Sequence, residues 1–116
     1  MNWIKPDWPV AKNIHAAVTL RTGGESQGAF KSLNPAYHVD DNPETVLRNR
    51  KTISKMLILP AEPVWLEQVH SNRVVNANQC LHLEQADASF TDQSGVVSVV
   101  MTADCLPILL ASCDGT

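Results

Sequence analysis

The sequence predicts a domain of the α/β (α+β) class, in which one helix is followed by a series of strands. Between residues 41 and 60, apolar residues recur at helical spacing between a start signal and a stop signal; after residue 60, short apolar segments alternate with turn residues. The composition is typical of a globular protein, since 44% of the 116 residues are hydrophobic and 18% are charged. A chain of this length is expected to form a single domain, 1–116.

The charge pattern and the short apolar segments argue against several classes of function. The 9 basic and 12 acidic residues give a net charge of −3 and form no basic cluster, so nucleic acid is not an expected partner. No apolar run approaches the ~20 residues that cross a bilayer, so no membrane partner is expected. An odd number of cysteines (Cys80, Cys105 and Cys113) without an export signal predicts reduced thiols in a cytoplasmic protein. Nothing in the sequence indicates an oligomeric state.

The first predicted elements are a strand and a long loop. Residues 15–22, "HAAVTLRT", are predicted to form a strand that runs into Gly23 and Gly24. The loop over residues 21–40 contains three glycines, a proline and many small polar residues. Long ordered loops are more often functional than short ones, so this loop is a candidate part of a binding site.

The helix prediction depends on signals at both ends. Asn42 can cap the first turn, and Pro43 suits the first helical position, where its missing N–H is no loss. The helix is expected to run to about residue 58, because Pro60 ends it. Its apolar positions, on or near one face, are Val46, Leu47, Ile53 and Leu57.

The rest of the chain is predicted to be strands separated by turns. "VVSVVM" and "LPILLA" are almost continuously apolar, which is typical of strands covered on both faces. The predicted strands are residues 64–69, 73–77, 88–91, 96–102 and 106–111.

The most apolar region is interrupted by an acid and a thiol, Asp104 and Cys105, in "TADCLPILL". A carboxylate beside a buried strand is costly unless it has a partner or a role, which favours a position at a strand edge facing a cleft. Cys105 can equally be a small buried side chain, since cysteine often is. His70 ends the strand in "WLEQVHSN" and is either a solvated strand-end side chain or the partner of Cys105. Such a pair would serve as an activated nucleophile or as zinc ligands.

Several phrases of the sequence together resemble the YfiH-like family, also called the laccase-domain or polyphenol oxidase-like family. These are "RTGGESQGAFKSLNPAYHVDDNPETVLRNR", "PVWLEQVHSNRVV", "ADASF" and "VVSVVMTADCLPILL", and the resemblance runs from about residue 17 onward. It implies layered mixed β-sheets flanked by helices. Two small departures are Ser71, where glycine is common, and Pro35, where leucine is usual; neither removes a functional group.

The resemblance also implies a zinc or copper site formed by two histidines and one cysteine. By position, His70 and Cys105 are metal ligands and catalytic residues, and Asp104 helps to orient the site. The third ligand is expected in a segment downstream of residue 116, so the chain is expected to be a truncated, N-terminal portion of the domain. The loop over residues 21–40 is expected to border the pocket, with Arg21, Asn34 and His38, together with Asp104, binding substrate.

The resemblance implies more than one activity. The first hypothesis is a zinc-dependent purine nucleoside phosphorylase with adenosine deaminase-type activity, whose partners are a purine nucleoside and phosphate. Zinc is preferred because a site of nitrogen and sulfur ligands with one open position suits it, with copper as the alternative. The other hypotheses are a Cys/His hydrolase that edits a peptidoglycan precursor, a laccase-like copper oxidase, and an inactive fragment.

Overall fold

The computed structural model describes residues 3–28, 32–37, 41–80, 83–102, 106–112 and 114–115. Within these residues the chain has one helix and four short strands, which confirms the α/β class. The elements are β1 (Trp3–Ile4), β2 (Val18–Thr19), α1 (Pro43–Met56), β3 (Val74–Asn76) and β4 (Ala88–Phe90). The chain divides into two compact units, Met1–Leu57 with Ile108–Thr116, and Ile58–Pro107. The expectation of a single domain stays a prediction.

In the first unit, β1 and β2 form an antiparallel pair. Trp3 lies opposite Thr19, and Ile4 lies opposite Val18. The strand predicted over residues 15–22 is therefore reduced to its centre, because its partner is only two residues long. The partner strand was not predicted, since two residues are too short to show an alternating pattern.

Helix α1 begins where its sequence signals place it. The Asn42 side chain accepts hydrogen bonds from the backbone N–H groups of Glu44 (2.9 Å) and Thr45 (3.4 Å). The helix ends at Met56 with Leu57 as its C-cap, close to the predicted end. Of the predicted apolar face, Val46 and Ile53 are buried, whereas Leu47 is 46% exposed. The helix also buries two polar side chains, Asn49 and Arg50, which was not predicted.

These two polar side chains bind the long loop. Arg50 Nε donates to the carbonyl of Pro35 (2.7 Å), and its guanidinium lies 4.4 Å from the centre of the Tyr37 ring. Asn49 is fully buried and bonds three loop residues. The described residues of the loop contain no α-helix or strand, in agreement with the prediction.

The second unit contains the parallel strands β3 and β4. Val74 pairs with Ala88, Val75 with Ser89 and Asn76 with Phe90. Both strands were predicted. Leu66, Val75 and Ala86 form a buried cluster, with the half-buried Cys80 packed against it.

Two of the predicted strands are reduced to single bridges. Residues 64–69 and 96–102 meet in a parallel bridge between Val64 and Ser98, and Glu67 bridges to Gln85. Neither segment forms a continuous strand, so both predictions were wrong in extent. A side chain replaces part of the backbone pairing here, because Gln68 bonds the backbone of Met101.

The predicted strand over residues 106–111 is absent: these residues pair with no described part of the chain. Pro107 has no N–H to donate to a neighbouring strand. Leu106, Ile108 and Leu110 are 84%, 73% and 90% exposed, so the expectation that this segment is covered on both faces was wrong. In the described ranges, no helix has the length and apolar character required to cross a membrane.

Candidate functional site

The structure describes three of the six predicted site residues: Arg21, Asn34 and His70. His38, Asp104 and Cys105 lie outside the described residues. The proximity of His70 to Cys105 therefore stays a prediction.

His70 lies in a turn that is organised by one carboxylate. Asp87 accepts hydrogen bonds from the backbone N–H groups of Val69 (3.3 Å), His70 (3.0 Å) and Ser71 (2.7 Å). The Ser71 hydroxyl donates a further bond to Asp87 (2.8 Å). Ser71, where the resemblance leads one to expect glycine, thus adds a hydrogen bond to the turn. His70 is exposed and has a φ of +62°, a backbone conformation that few residues other than glycine adopt.

The same contacts keep Asp87 negatively charged. The hydrogen bond from the Ser71 backbone N–H contributes most to the lowered pKa of Asp87. The Ser71 hydroxyl and the N–H groups of His70 and Val69 lower this pKa further. Together they outweigh partial burial and lower the pKa of Asp87 from 3.8 to about 2. A fixed anion therefore lies against the backbone of the residue that was predicted to bind a metal.

Gln68 connects this turn to the segment that leads to Asp104 and Cys105. Its Nε2 donates to the carbonyl of Met101 (2.8 Å), and its Oε1 accepts from the N–H of Met101 (2.7 Å). Both hydrogen-bonding groups of one side chain are satisfied by one residue. This fixes the position of Met101 relative to Gln68, which is separated from it by 33 residues in sequence.

Backbone bonds hold the segment that precedes His70 on two sides. The Val64 N–H donates to Val97 (2.9 Å) on one side. On the other, the Glu67 N–H donates to Glu84 (3.0 Å), and the Ala86 N–H donates to Glu67 (3.2 Å). His70 thus follows a segment that is bonded on both sides, although this segment is not a continuous strand.

In the first unit, Arg21 lies at the base of the long loop. Its carbonyl accepts hydrogen bonds from the N–H groups of Ser32 (2.7 Å) and Leu33 (2.8 Å). Nearby, a Cβ added to Gly24 would lie 2.3 Å from the Ser32 carbonyl oxygen and 2.5 Å from the Leu33 Cα. Only glycine fits at this position, which explains the second glycine of "RTGG".

Asn34 is engaged within the loop itself. Its Nδ2 donates to Asp41 (3.0 Å) and to the carbonyl of Ala36 (3.2 Å), and its Oδ1 accepts from the Ala36 N–H (3.0 Å). Bonds from Ser26, Asn34 and the Asn42 backbone lower the pKa of Asp41. A substrate contact from the Asn34 Nδ2 would have to replace one of these bonds.

A cavity of about 310 Å³ opens beside the start of α1. Carboxylates contribute to its wall, so its charge does not favour an anion such as phosphate. The lining residues are Glu25, Gln27, Asp41, Asn42 and Thr45.

The sequence analysis did not identify Gln68 and Asp87, whose hydrogen bonds organise the surroundings of His70. The available signal was their position in "QVH" and "ADASF", two of the phrases that carry the family resemblance. Across the described ranges, no three His, Cys, Asp or Glu side chains are grouped so as to hold a metal ion.

The sequence matches one family model and several curated relatives. The model is described as multi-copper polyphenol oxidoreductase laccase and matches residues 15–116. The purine nucleoside phosphorylase PA4543 of Pseudomonas aeruginosa is 46% identical over 98% of this chain and 46% of its own length. The purine nucleoside phosphorylase YfiH of Escherichia coli is 43% identical over 97% of this chain and 47% of its own. The chain thus spans about half the length of these relatives.

Solved structures show the same fold. The Neisseria meningitidis protein NMB0706, described as a DUF152 protein, superposes with a TM-score of 0.83 at 46% sequence identity. YlmD from Geobacillus stearothermophilus superposes with a TM-score of 0.80 at 29% identity. Each match covers 90% of this chain and 43% of the solved chain. The resemblance identified from the sequence phrases is confirmed.

Proposed function

The chain belongs to the multi-copper polyphenol oxidoreductase laccase family, and we propose that it supplies part of the active site of a purine nucleoside phosphorylase. The observation that carries this proposal is the similarity to relatives of that name over almost the whole chain, at 46% and 43% identity. The expected partners are a purine nucleoside and phosphate. We further propose a cytoplasmic location, from the cysteine pattern alone.

Within this site, we propose that His70 and Cys105 hold a metal ion. Imidazole and thiolate are both good zinc ligands, and the exposed position of His70 leaves its imidazole accessible. When bound, such a metal would supply Lewis-acid polarisation of a substrate oxygen or of water. Zinc is proposed first because it suits mixed nitrogen and sulfur ligands.

The reaction itself requires the chain to bind two substrates in a fixed orientation. In phosphorolysis, a phosphate oxygen forms a bond to C1′ of the ribose while the bond from C1′ to the purine nitrogen breaks. The purine leaves with the bonding electron pair and gains a proton. We assign Arg21 to phosphate, because a guanidinium forms paired hydrogen bonds with oxyanions. Asn34, His38 and Asp104 are proposed as further substrate-binding residues.

We also propose that the same site deaminates adenosine. Both reactions require a bound purine nucleoside, so one set of binding residues can serve both. Inosine tests phosphorolysis alone, whereas adenosine tests both reactions.

A second candidate function is oxidation by a copper-containing site. The description of the matching family as multi-copper polyphenol oxidoreductase favours it. This candidate predicts oxygen uptake with a phenolic substrate in the presence of copper. The first candidate predicts release of a free purine in the presence of phosphate.

The test is an assay of inosine and adenosine turnover in phosphate buffer, followed by chromatography of the purine products. Because the relatives are about twice as long, it uses both this chain and a chimera with the C-terminal half of the Pseudomonas aeruginosa relative. In the chimera, His70→Ala and Cys105→Ser are each expected to lower kcat/KM by about 100-fold or more, which corresponds to a loss of about 3 kcal/mol of transition-state stabilisation.

The matched control is Asn72→Ala, which removes an exposed side chain two residues from His70. It is expected to keep kcat/KM unchanged. The proposal is wrong if the chimera releases no purine from either nucleoside, or if His70→Ala retains the activity of the unaltered chimera.

A further inference from the structure

The side chain of Gln68 bonds Met101 in the way that one strand bonds its neighbour. A carboxamide carries the same donor and acceptor as a peptide group, and here both are used on one residue, at 2.8 Å and 2.7 Å. These bonds stand where the predicted pairing of the two strands is otherwise reduced to the bridge between Val64 and Ser98. Gln68 therefore carries the contact between the two segments at the end nearest His70.

The position of this contact in the chain is informative. Gln68 lies two residues before His70, and Met101 lies four residues before Cys105. The hydrogen bonds of Gln68 thus set the starting point of the segment that carries the thiol.

The turn on the other side of Gln68 is also fixed. Asp87 binds three successive N–H groups, including that of His70. Asp87 therefore holds the segment that carries His70. Gln68, in that same segment, holds Met101, from which the chain leads to Cys105. A group that holds two ligand segments in register is expected to affect metal affinity without contacting the metal.

We propose that Gln68 is a positioning residue for the metal-binding pair His70 and Cys105, acting through its two hydrogen bonds to Met101. This inference rests on the proposed function, since it presumes that these two residues bind the metal. It extends that proposal by assigning a role to a residue that would touch neither the metal nor the substrate.

Three variants separate this role from general stability. Gln68→Leu removes both hydrogen bonds at similar size. Gln68→Glu keeps the acceptor for the Met101 N–H, loses the donor, and places a carboxylate against the Met101 carbonyl. The matched control is Gln93→Leu, which makes the same change at an exposed glutamine.

The first measurement is amide hydrogen exchange in the chain without metal. In Gln68→Leu, exchange of the Met101 amide is expected to be at least about fivefold faster, because its acceptor is lost. Gln93→Leu should leave that rate unchanged. An unchanged Met101 rate in a folded Gln68→Leu variant overturns the inference. If Gln68→Leu does not fold, the zinc affinity of Gln68→Glu tests the inference instead.

The second measurement is zinc affinity, by competition with a coloured chelator. Gln68→Leu and Gln68→Glu are expected to weaken zinc binding by about 10–100-fold, as other residues that support metal ligands do. Val75→Ala, a core substitution in the same unit, shows the effect of lower stability alone and should leave affinity unchanged.

The outcomes distinguish the two proposals. If His70→Ala weakens zinc binding while both Gln68 variants match the unaltered chain, the positioning role is wrong and the proposed metal ligand stands. If His70→Ala binds zinc as tightly as the unaltered chain, or the unaltered chain binds none, the proposed metal site itself is wrong, and the positioning role is overturned with it.

Discussion

At His70, the backbone conformation and the side-chain chemistry favour different residues. A φ of +62° favours glycine, and a side chain there costs about 1–2 kcal/mol. The turn is kept in this conformation by the bonds to Asp87. Histidine, at a position whose backbone conformation favours glycine, is expected where the imidazole is required for function.

This conflict predicts that His70→Gly is more stable than His70→Ala. The glycine variant loses the unfavourable contact of Cβ at positive φ, although its unfolded chain has more conformational freedom. The net difference in the free energy of unfolding is expected to be about 0.5–1 kcal/mol in favour of glycine. Urea denaturation measures it. Equal or greater stability of the alanine variant would contradict the prediction.

Asp41 makes stability depend on pH. Its pKa lies below the ordinary value of 3.8, chiefly because the Ser26 hydroxyl donates to it and secondly because Asn34 does. The stabilisation from the charged carboxylate is therefore fully present above about pH 4. It is lost as the pH falls through the lower pKa of the folded state.

We accordingly predict that Asp41→Asn is less stable than the unaltered chain near neutral pH, and that the difference shrinks as the pH falls below about 4. The measurement is the urea midpoint of both proteins at several pH values. Ser26→Ala removes the hydroxyl that contributes most to the lowered pKa of Asp41, so the stability of this variant should depend less on pH. A difference between Asp41→Asn and the unaltered chain that stays constant down to low pH would show that the charge of Asp41 is not involved.

At the scale of elements, the end of α1 contains an unfavourable residue. Ile58 follows the C-cap Leu57, has a φ of +53° and is 87% exposed. Helices commonly place glycine at this position, because it adopts the left-handed conformation without a steric cost. The β-branched isoleucine gains almost nothing from burial here.

Ile58→Gly is therefore expected to raise the free energy of unfolding by about 1 kcal/mol. Lys55→Gly, the same substitution inside the last turn of the helix, should lower it by about 1 kcal/mol. Thermal unfolding of the two variants measures both effects. A loss of stability in Ile58→Gly would mean that the turn does not require positive φ.

The elements that could be predicted are those specified by nearby residues. Asn42, Pro43 and Pro60 define the helix, and β3 and β4 were found from alternation and turn signals. The segments at 64–69 and 96–102 could not be placed, because a side chain supplies part of their contact across 33 residues. Asp87 was missed for the same reason, since it acts on His70 from 17 residues away.

At the scale of the whole molecule, a run of large apolar side chains faces solvent. Leu106, Ile108 and Leu110 are each at least 73% exposed, although the composition of the segment is that of a buried strand. Adjacent exposed apolar side chains favour association between copies of a chain.

We predict that Leu110→Ser reduces self-association while changing the free energy of unfolding by no more than about 0.5 kcal/mol. Sedimentation at several concentrations and urea denaturation measure the two quantities. The contrasting substitution is Leu66→Ala at a side chain only 2% exposed, which is expected to cost about 2–5 kcal/mol. If Leu110→Ser is as destabilising as Leu66→Ala, the leucine is buried in solution.

The buried Asn49 side chain has a consequence for how the long loop moves. It donates to the Ser26 hydroxyl (2.8 Å) and the Asn34 carbonyl (2.9 Å), and it accepts from the Glu25 N–H (2.8 Å). Opening the loop would break all three bonds at once, and melting the helix would remove the residue that forms them. Loop and helix are thus expected to open together as one cooperative unit, so that proteases cut the loop at the rate at which the helix unfolds. At Glu25, Ser26 and Asn34, this glycine-rich loop is therefore expected to be as rigid as the helix that it contacts.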